Sequence, residues 1–298
     1  MSPRLAHPIL RLLALGLPSL AMAATPEPLC PGQTALPGPD GRVLGHIPYR
    51  QALDSDLVAA PAWFAAGASC LVHRDVAPDL GRLLSAAAAA PGVGTRLRGI
   101  SCFRSVERQR AVFCSQIGPG KRCKDAAERA RSVGPPGFSE HATGYAIDFG
   151  LRPSPNCADV SPCIARTVAG QWLIAHARDY GFELSFPAGN AQGVTWEPWH
   201  WRWVGTSVST PGAVQARLLF KRARADFPAN PMIRGLSDEW LRVIQPQTPA
   251  PPAVARPQGS PYLQPLPQSY FIQPLPTPTP TPMRDRRGRR IQPDVLSD

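Results

Sequence analysis

The 298-residue chain lacks an apolar run long enough to cross a bilayer. Its most apolar stretch, Ile9 to Ala24, is interrupted by Pro18 and falls short of the roughly 20 residues that a helical span needs. No C-x-x-C pair occurs among the seven cysteines, which argues against a cysteine-based metal site. No nucleic-acid-binding motif or aromatic-basic stripe accompanies the formal net charge of +11, so nucleic acid is a poor partner reading.

What is present at the N-terminus is a positive opening with Arg4 and Arg11, an apolar stretch, and Ala21-Met22-Ala23-Ala24. This describes a secretory signal peptide over residues 1–23, cleaved after Ala23, rather than a membrane anchor. Export follows, to the periplasm or the medium, with no stable membrane span after signal removal. Cys30 follows no lipobox-like run, which argues against lipidation.

All seven cysteines lie beyond the signal, as an oxidising compartment favours. The short loops Cys114 to Cys123 and Cys157 to Cys163 are read as local disulfides in turn-rich sequence. Cys30, Cys70 and Cys102 would then supply one pair and one odd thiol; the sequence does not fix the connectivity.

Composition changes again at Pro246. Residues 246–282 hold 13 prolines, and Gln-Pro-Leu-Pro recurs at Gln264 and Gln273. Such sequence builds no core, so residues 246–298 are expected to form a disordered tail ending in the basic cluster Arg284–Arg290. It reads as a solvated tail or as a tether whose partner the sequence does not name. Without signal and tail, 24 basic and 18 acidic residues remain, a net charge near +6 that suits attraction to an anionic wall.

Residues 24–245 read as one α+β domain, a small antiparallel sheet with packed helices. Residues 24 to about 69 are Pro/Gly-rich, a wrapping segment held by Cys30. Asp75 is placed as the cap of a helix whose one side carries Val76, Leu80, Leu83, Leu84 and Ala87. A strand through Leu97–Ile100 and a helix from Val106 to about Ile117 follow, with further helices over Ala213–Ala225 and Ser237–Ile244. His176 falls on the stripe Ala165, Val168, Ala169, Trp172, Leu173 and Tyr180, and is read as a core histidine. His46 and His73 have no paired ligand at useful spacing.

Two phrases carry the chemistry: Ser139-Glu140-His141-Ala142-Thr143-Gly144-Tyr145-Ala146-Ile147-Asp148 and Trp196-Glu197-Pro198-Trp199-His200-Trp201. In Tyr145–Phe149 the alternation puts Tyr145, Ile147 and Phe149 on one strand face and Ala146 and Asp148 on the other. In the second phrase Trp199, Trp201 and Trp203 share a face, opposite His200 and Arg202. Two imidazoles and a carboxylate brought together suit catalytic zinc, which takes three protein ligands and keeps a fourth position open. Glu197, carried round a bend by Pro198, can reach the same cleft.

The pattern S-x-H-x-x-G-x-A-x-D followed by E-x-W-H resembles the VanY-type D-alanyl-D-alanine carboxypeptidases and the related vancomycin-resistance D,D-dipeptidases. The resemblance extends to Ile100–Gln109, similar to the family's S-x-Y-R-S-x-x-x-Q segment, and to Trp172–Phe182, similar to its helix ending in Y-G-F. It covers roughly residues 70–205, with Cys102-Phe103 departing from the usual small residue and tyrosine. It implies a zinc D,D-peptidase (hedgehog-like) fold, with His141, Asp148 and His200 as zinc ligands. It further implies Glu197 as general base and Arg104 facing the substrate, while Ser139 and Gln109 fall to substrate binding. Locally, Arg104 could instead pair with a carboxylate, Ser139 could cap a turn, and Gln109 reads as an ordinary helix residue.

The expected function is hydrolysis of peptidoglycan stem peptides, foremost removal of terminal D-alanine. Two alternatives stand beside it. One is an endopeptidase cutting the L-alanyl-D-glutamate bond or a cross-bridge. The other is a non-catalytic, zinc-containing wall-binding module, against which the presence of Glu197 argues.

Overall fold

Antiparallel pairing organises every sheet of the computed structural model, which describes residues 25–154 and 156–233. The expected signal peptide, the helix Ser237–Ile244 and the tail from Pro246 lie outside the described residues. The elements run β1 (Glu27–Cys30), β2 (Gln33–Ala35), β3 (Leu57–Ala59), β4 (Leu71–His73), α1 (Ala77–Ala89), β5 (Leu97–Ser101), α2 (Val106–Cys114) and α3 (Ala126–Ala130). They continue with β6 (Ala146–Leu151), α4 (Val168–His176), β7 (Phe182–Leu184), β8 (His200–Trp203), α5 (Ala213–Leu219) and α6 (Lys221–Asp226). Helices thus pack with small antiparallel sheets. β1 pairs with β2, β3 with β4, and a central sheet has the order β5-β6-β8-β7.

Alternation along β6 and β8 decides what that sheet does. Tyr145, Ile147, Phe149, Trp201 and Trp203 sit in the main core with Leu80, Leu83 and Leu84 of α1 and Leu173 of α4. Each such side chain fully removed from water contributes about 1.5–3 kcal/mol. The opposite face carries Asp148, His200 and Arg202, all buried as well. Register matches Asp148 with His200 and Ala146 with Arg202. A second cluster, with Leu29, Phe113 and Ala126, packs α2 and α3 against β1.

Several expectations are corrected. The residue before α1 is Val76, with no side-chain cap, and Pro78 occupies the first turn. Asp75 is drawn instead to the Tyr145 hydroxyl, at 2.7 Å. The helix expected to reach Ile117 ends at Cys114, and that expected over Ala213–Ala225 breaks at Phe220. His176 is about half exposed beside Asp179, 3.5 Å away, because α4 turns the Val168 side of its stripe to solvent. The Pro/Gly-rich segment holds three short strands.

Cys114 pairs with Cys30 rather than Cys123, since α2 ends against β1. Cys70–Cys102 and Cys157–Cys163 complete the set, leaving Cys123 as a buried free thiol. The bond from Cys30 does hold the wrapping segment.

Candidate active site

The site begins with a turn that only glycine can close. Glu140–Thr143 form a single helical turn, and Gly144 leaves it with φ of 73°. A side chain at Gly144 would put Cβ 2.9 Å from Leu57 Cδ2 and 3.0 Å from the His73 amide nitrogen, besides the unfavourable dihedral. This turn delivers His141 beside the start of β6, whose alternation then brings Asp148 to the same side. β8 supplies His200 opposite Asp148. Pro198 turns the chain just before it, with the His200 amide donating to the Glu197 carbonyl at 3.0 Å.

One donor atom from each of His141, Asp148 and His200 lies within 4.8 Å of the others, and all three residues are buried. His141 Nε2 stands 3.1 Å from Asp148 Oδ2, and His200 Nδ1 stands 2.9 Å from Asp148 Oδ1. Two imidazoles and one carboxylate converging at this range fit a catalytic zinc donor set. The three line a cavity of about 310 Å³ together with Arg104, Ser139, Glu140 and Glu197.

Glu197 is the group that burial perturbs most usefully. Desolvation first, then the Asp148 and Glu140 carboxylates, push its pKa up to about 8, against the opposing pull of His200 and Arg104. Burial would raise Asp148 too, but the imidazoles of His141 and His200 hold it well below the carboxylate range. On His200 burial works against the proton, yet Asp148 and Glu140 outweigh it and push the pKa up to about 10. His141 is lowered by burial.

Arg104 reaches the site from the loop after β5. Its Nη1 donates to Gln109 Oε1 and its Nη2 to Ser101 Oγ, each at 2.6 Å, with Asp148 Oδ2 3.8 Å from Nη2. Gln109, fully buried on α2, also donates to the Gly134 carbonyl at 2.6 Å, so its amide is taken up in holding Arg104. Ser105 caps α2 by accepting from the Arg108 amide. The Ser139 hydroxyl makes no hydrogen bond among the described residues and faces the cavity.

Sequence reasoning missed Glu140 and Arg202. Glu140 accepts from Ser185 Oγ at 2.6 Å and from Arg202 Nη1 at 2.9 Å, and its Oε2 stands 3.0 Å from His200 Nε2. Burial would raise its pKa, but Arg202 and His200 bring it down to about 2. The signal was available: the two-residue period that turns His200 toward the cleft puts Arg202 on the same face of β8. His46, given no role, is buried, lines the cavity and lies 2.7 Å from the Ala130 carbonyl.

Residues 69–206 match the family model of VanY, D-alanyl-D-alanine carboxypeptidase. This segment is similar to VanY-type domains. The chain is 33% identical over 124 residues to the putative carboxypeptidase YodJ of Bacillus subtilis (strain 168), covering 41% of this chain and 43% of YodJ. It is 27% identical over 130 residues to VanXYC of Enterococcus gallinarum, a bifunctional D-Ala-D-Ala dipeptidase and D-Ala-D-Ala carboxypeptidase, covering 43% of this chain and 66% of VanXYC. It therefore spans less than two-thirds of the length of these relatives. Among solved structures, the LdcB LD-carboxypeptidase is similar with 23% identity and a TM-score of 0.46, over 67% of this chain and 89% of LdcB. His141, Asp148, Glu197 and His200 all fall within the matched segment. Among the described residues no helix is long and apolar enough to cross a membrane.

Proposed function

We propose that this chain is an exported, zinc-dependent D-alanyl-D-alanine carboxypeptidase acting on peptidoglycan stem peptides, with a zinc D,D-peptidase fold. Residues 1–23 are the removed signal, 24–245 the peptidase domain and 246–298 a tail. His141, Asp148 and His200 hold the zinc. A zinc ion there would supply Lewis acidity, making a water more acidic and polarising the scissile carbonyl.

The observation that carries this reading is Glu197, buried in the cavity that the three donors line. Its carboxyl accepts no hydrogen bond among the described residues, which leaves its oxygens open to a water held in the cavity. Such a group suits taking a proton from the attacking water and returning it to the amine of the departing D-alanine as the C–N bond breaks. A non-catalytic zinc module would have no need of it. Arg104, aimed by Gln109 and Ser101, stabilises the negative charge that develops on the carbonyl oxygen. Ser139 has a free hydroxyl with which to contact substrate.

Removal of a terminal residue, rather than a cross-bridge cut, is supported by the charge layout of the cavity. Asp148, Glu140 and Glu197 contribute the acidic groups, whereas Arg104, Arg122 and Arg129 line the same cavity as cations. Arg129 already donates to the Phe113 and Val112 carbonyls, at 3.3 and 3.1 Å, whereas Arg122 forms no ion pair among the described residues. A free C-terminal carboxylate is complementary to these guanidinium groups, and a cross-bridge amide bond offers none. The test compares a pentapeptide ending in D-alanyl-D-alanine as the free acid with the same peptide amidated at its C-terminus. The expected kcat/KM falls at least about 10-fold on amidation, the worth of one charged contact of 1.4 kcal/mol. Equal turnover of both would move the protein to the endopeptidase class.

A further inference from the structure

His200 is gripped at both ring nitrogens by different carboxylates. On one side Nδ1 stands 2.9 Å from Asp148 Oδ1, and on the other Nε2 stands 3.0 Å from Glu140 Oε2. Asp148 belongs to the cluster that converges with His141; Glu140 does not. Its carboxylate is already committed, with Oε2 taking the Ser185 hydroxyl at 2.6 Å and Oε1 taking Arg202 Nη1 at 2.9 Å. Arg202 is fixed in turn by Glu183 Oε2 at 3.3 Å. The ring of His200 is also boxed in by His141, edge-on at 4.9 Å, and by Phe186 at 4.9 Å.

An imidazole can offer a metal only one lone pair, and the hydrogen bond on the other nitrogen decides which. A carboxylate that holds these two donors, and the Tyr49 hydroxyl at 3.4 Å, besides the imidazole is a fixed acceptor. We infer that Glu140 is a positioning residue of the metal centre: it takes the Nε2 proton of His200 and so presents Nδ1 to the ion. Residues 200 and 202 lie on one face of β8 and both reach this carboxylate, which leaves His200 little freedom to rotate. The turn Glu140–Thr143 therefore supplies one ligand, His141, and through the preceding residue ties down another.

This inference rests on reading His141, Asp148 and His200 as the metal site. It is tested on the disulfide-bonded protein loaded with zinc, by long-range ¹H–¹⁵N correlation of the histidine rings and by chelator competition for the zinc Kd. In the parent protein His200 should carry its proton on Nε2, with Nδ1 shifted by the metal. Glu140→Ala should weaken zinc binding by about 10–100-fold and lose the single tautomer. Glu140→Gln, whose amide oxygen still accepts, should keep the tautomer and lose less affinity. A Glu140→Ala protein that folds and binds zinc with the parent Kd would overturn the inference. So would a parent protein with the His200 proton on Nδ1, a result that needs no variant to fold. If the parent binds no zinc, the metal-site reading fails and the inference falls with it.

Discussion

Replacing Glu197 by glutamine should make the metal-free protein more stable at alkaline pH while removing its activity. The side chain keeps its shape and loses its charge. In the fold the carboxyl titrates near 8, displaced from an ordinary 4.5, with burial as the leading cause. At 1.36 kcal/mol per pKa unit this displacement corresponds to about 5 kcal/mol. Above about pH 4.5 the unfolded chain releases this proton and the folded chain keeps it. The unfolded state then binds fewer protons, so stability falls as pH rises. The loss is absent below about 4.5, grows through the interval and is complete above about 8. Glutamine does not titrate and escapes it. Chelator-stripped parent and Glu197→Gln proteins, compared by urea denaturation, should therefore differ little at pH 4.5 and by up to about 5 kcal/mol near pH 9. Asp148, His141 and His200 are common to both proteins and cancel to first order. Turnover by the zinc-loaded variant should fall by about 10²–10⁴, the usual worth of a general base. A stability gap of the same size at both pH values would refute the claim that burial holds this carboxyl protonated.

The other predictions concern the frame around the site. Glu183 is fully buried and accepts from Arg224 Nη2 at 3.2 Å, Arg202 Nε at 3.3 Å and the Ile233 amide at 2.9 Å. Arg224→Met should strand part of that charge and cost about 3–5 kcal/mol. Followed by circular dichroism, that is a fall of about 6–20 °C in Tm, and an unchanged Tm would contradict the pairing. The Cys70–Cys102 bond closes a separation of 32 residues, so the double serine variant should lose about 4 kcal/mol in the chain-entropy account. A loss below about 1 kcal/mol in denaturant titration would show that the loop is held by packing alone.

That His141, Asp148, Glu197 and His200 face one cleft was legible because each strand's alternation is local. Alternation over Tyr145–Phe149 and Trp199–Trp203 already separates core side chains from cleft side chains, and Pro198 marks the bend that brings Glu197 round. What sets their electrostatics was not legible. Glu140 reads as an ordinary acidic residue in a first turn; its partners Arg202 and Ser185 come from other segments, joined by the register of β6 with β8. Long-range pairing also defeated the cysteine reading. Proximity in sequence favoured Cys114 with Cys123, whereas the packing of α2 on β1 brings Cys30, 84 residues away, to Cys114. His176 shows a similar limit: a helical stripe marks one side of a helix without saying how far around it solvent reaches. Asp75 was a plausible cap by residue type, yet the Tyr145 hydroxyl was the better partner.

The most direct test of the account is incubation of the mature protein with a defined muropeptide ending in D-alanyl-D-alanine, with and without chelator, followed by mass spectrometry. The expected product is the peptide shortened by a single alanine, its formation abolished by chelator and restored by zinc. An internal cut, or no cleavage by protein shown to hold zinc, would contradict it.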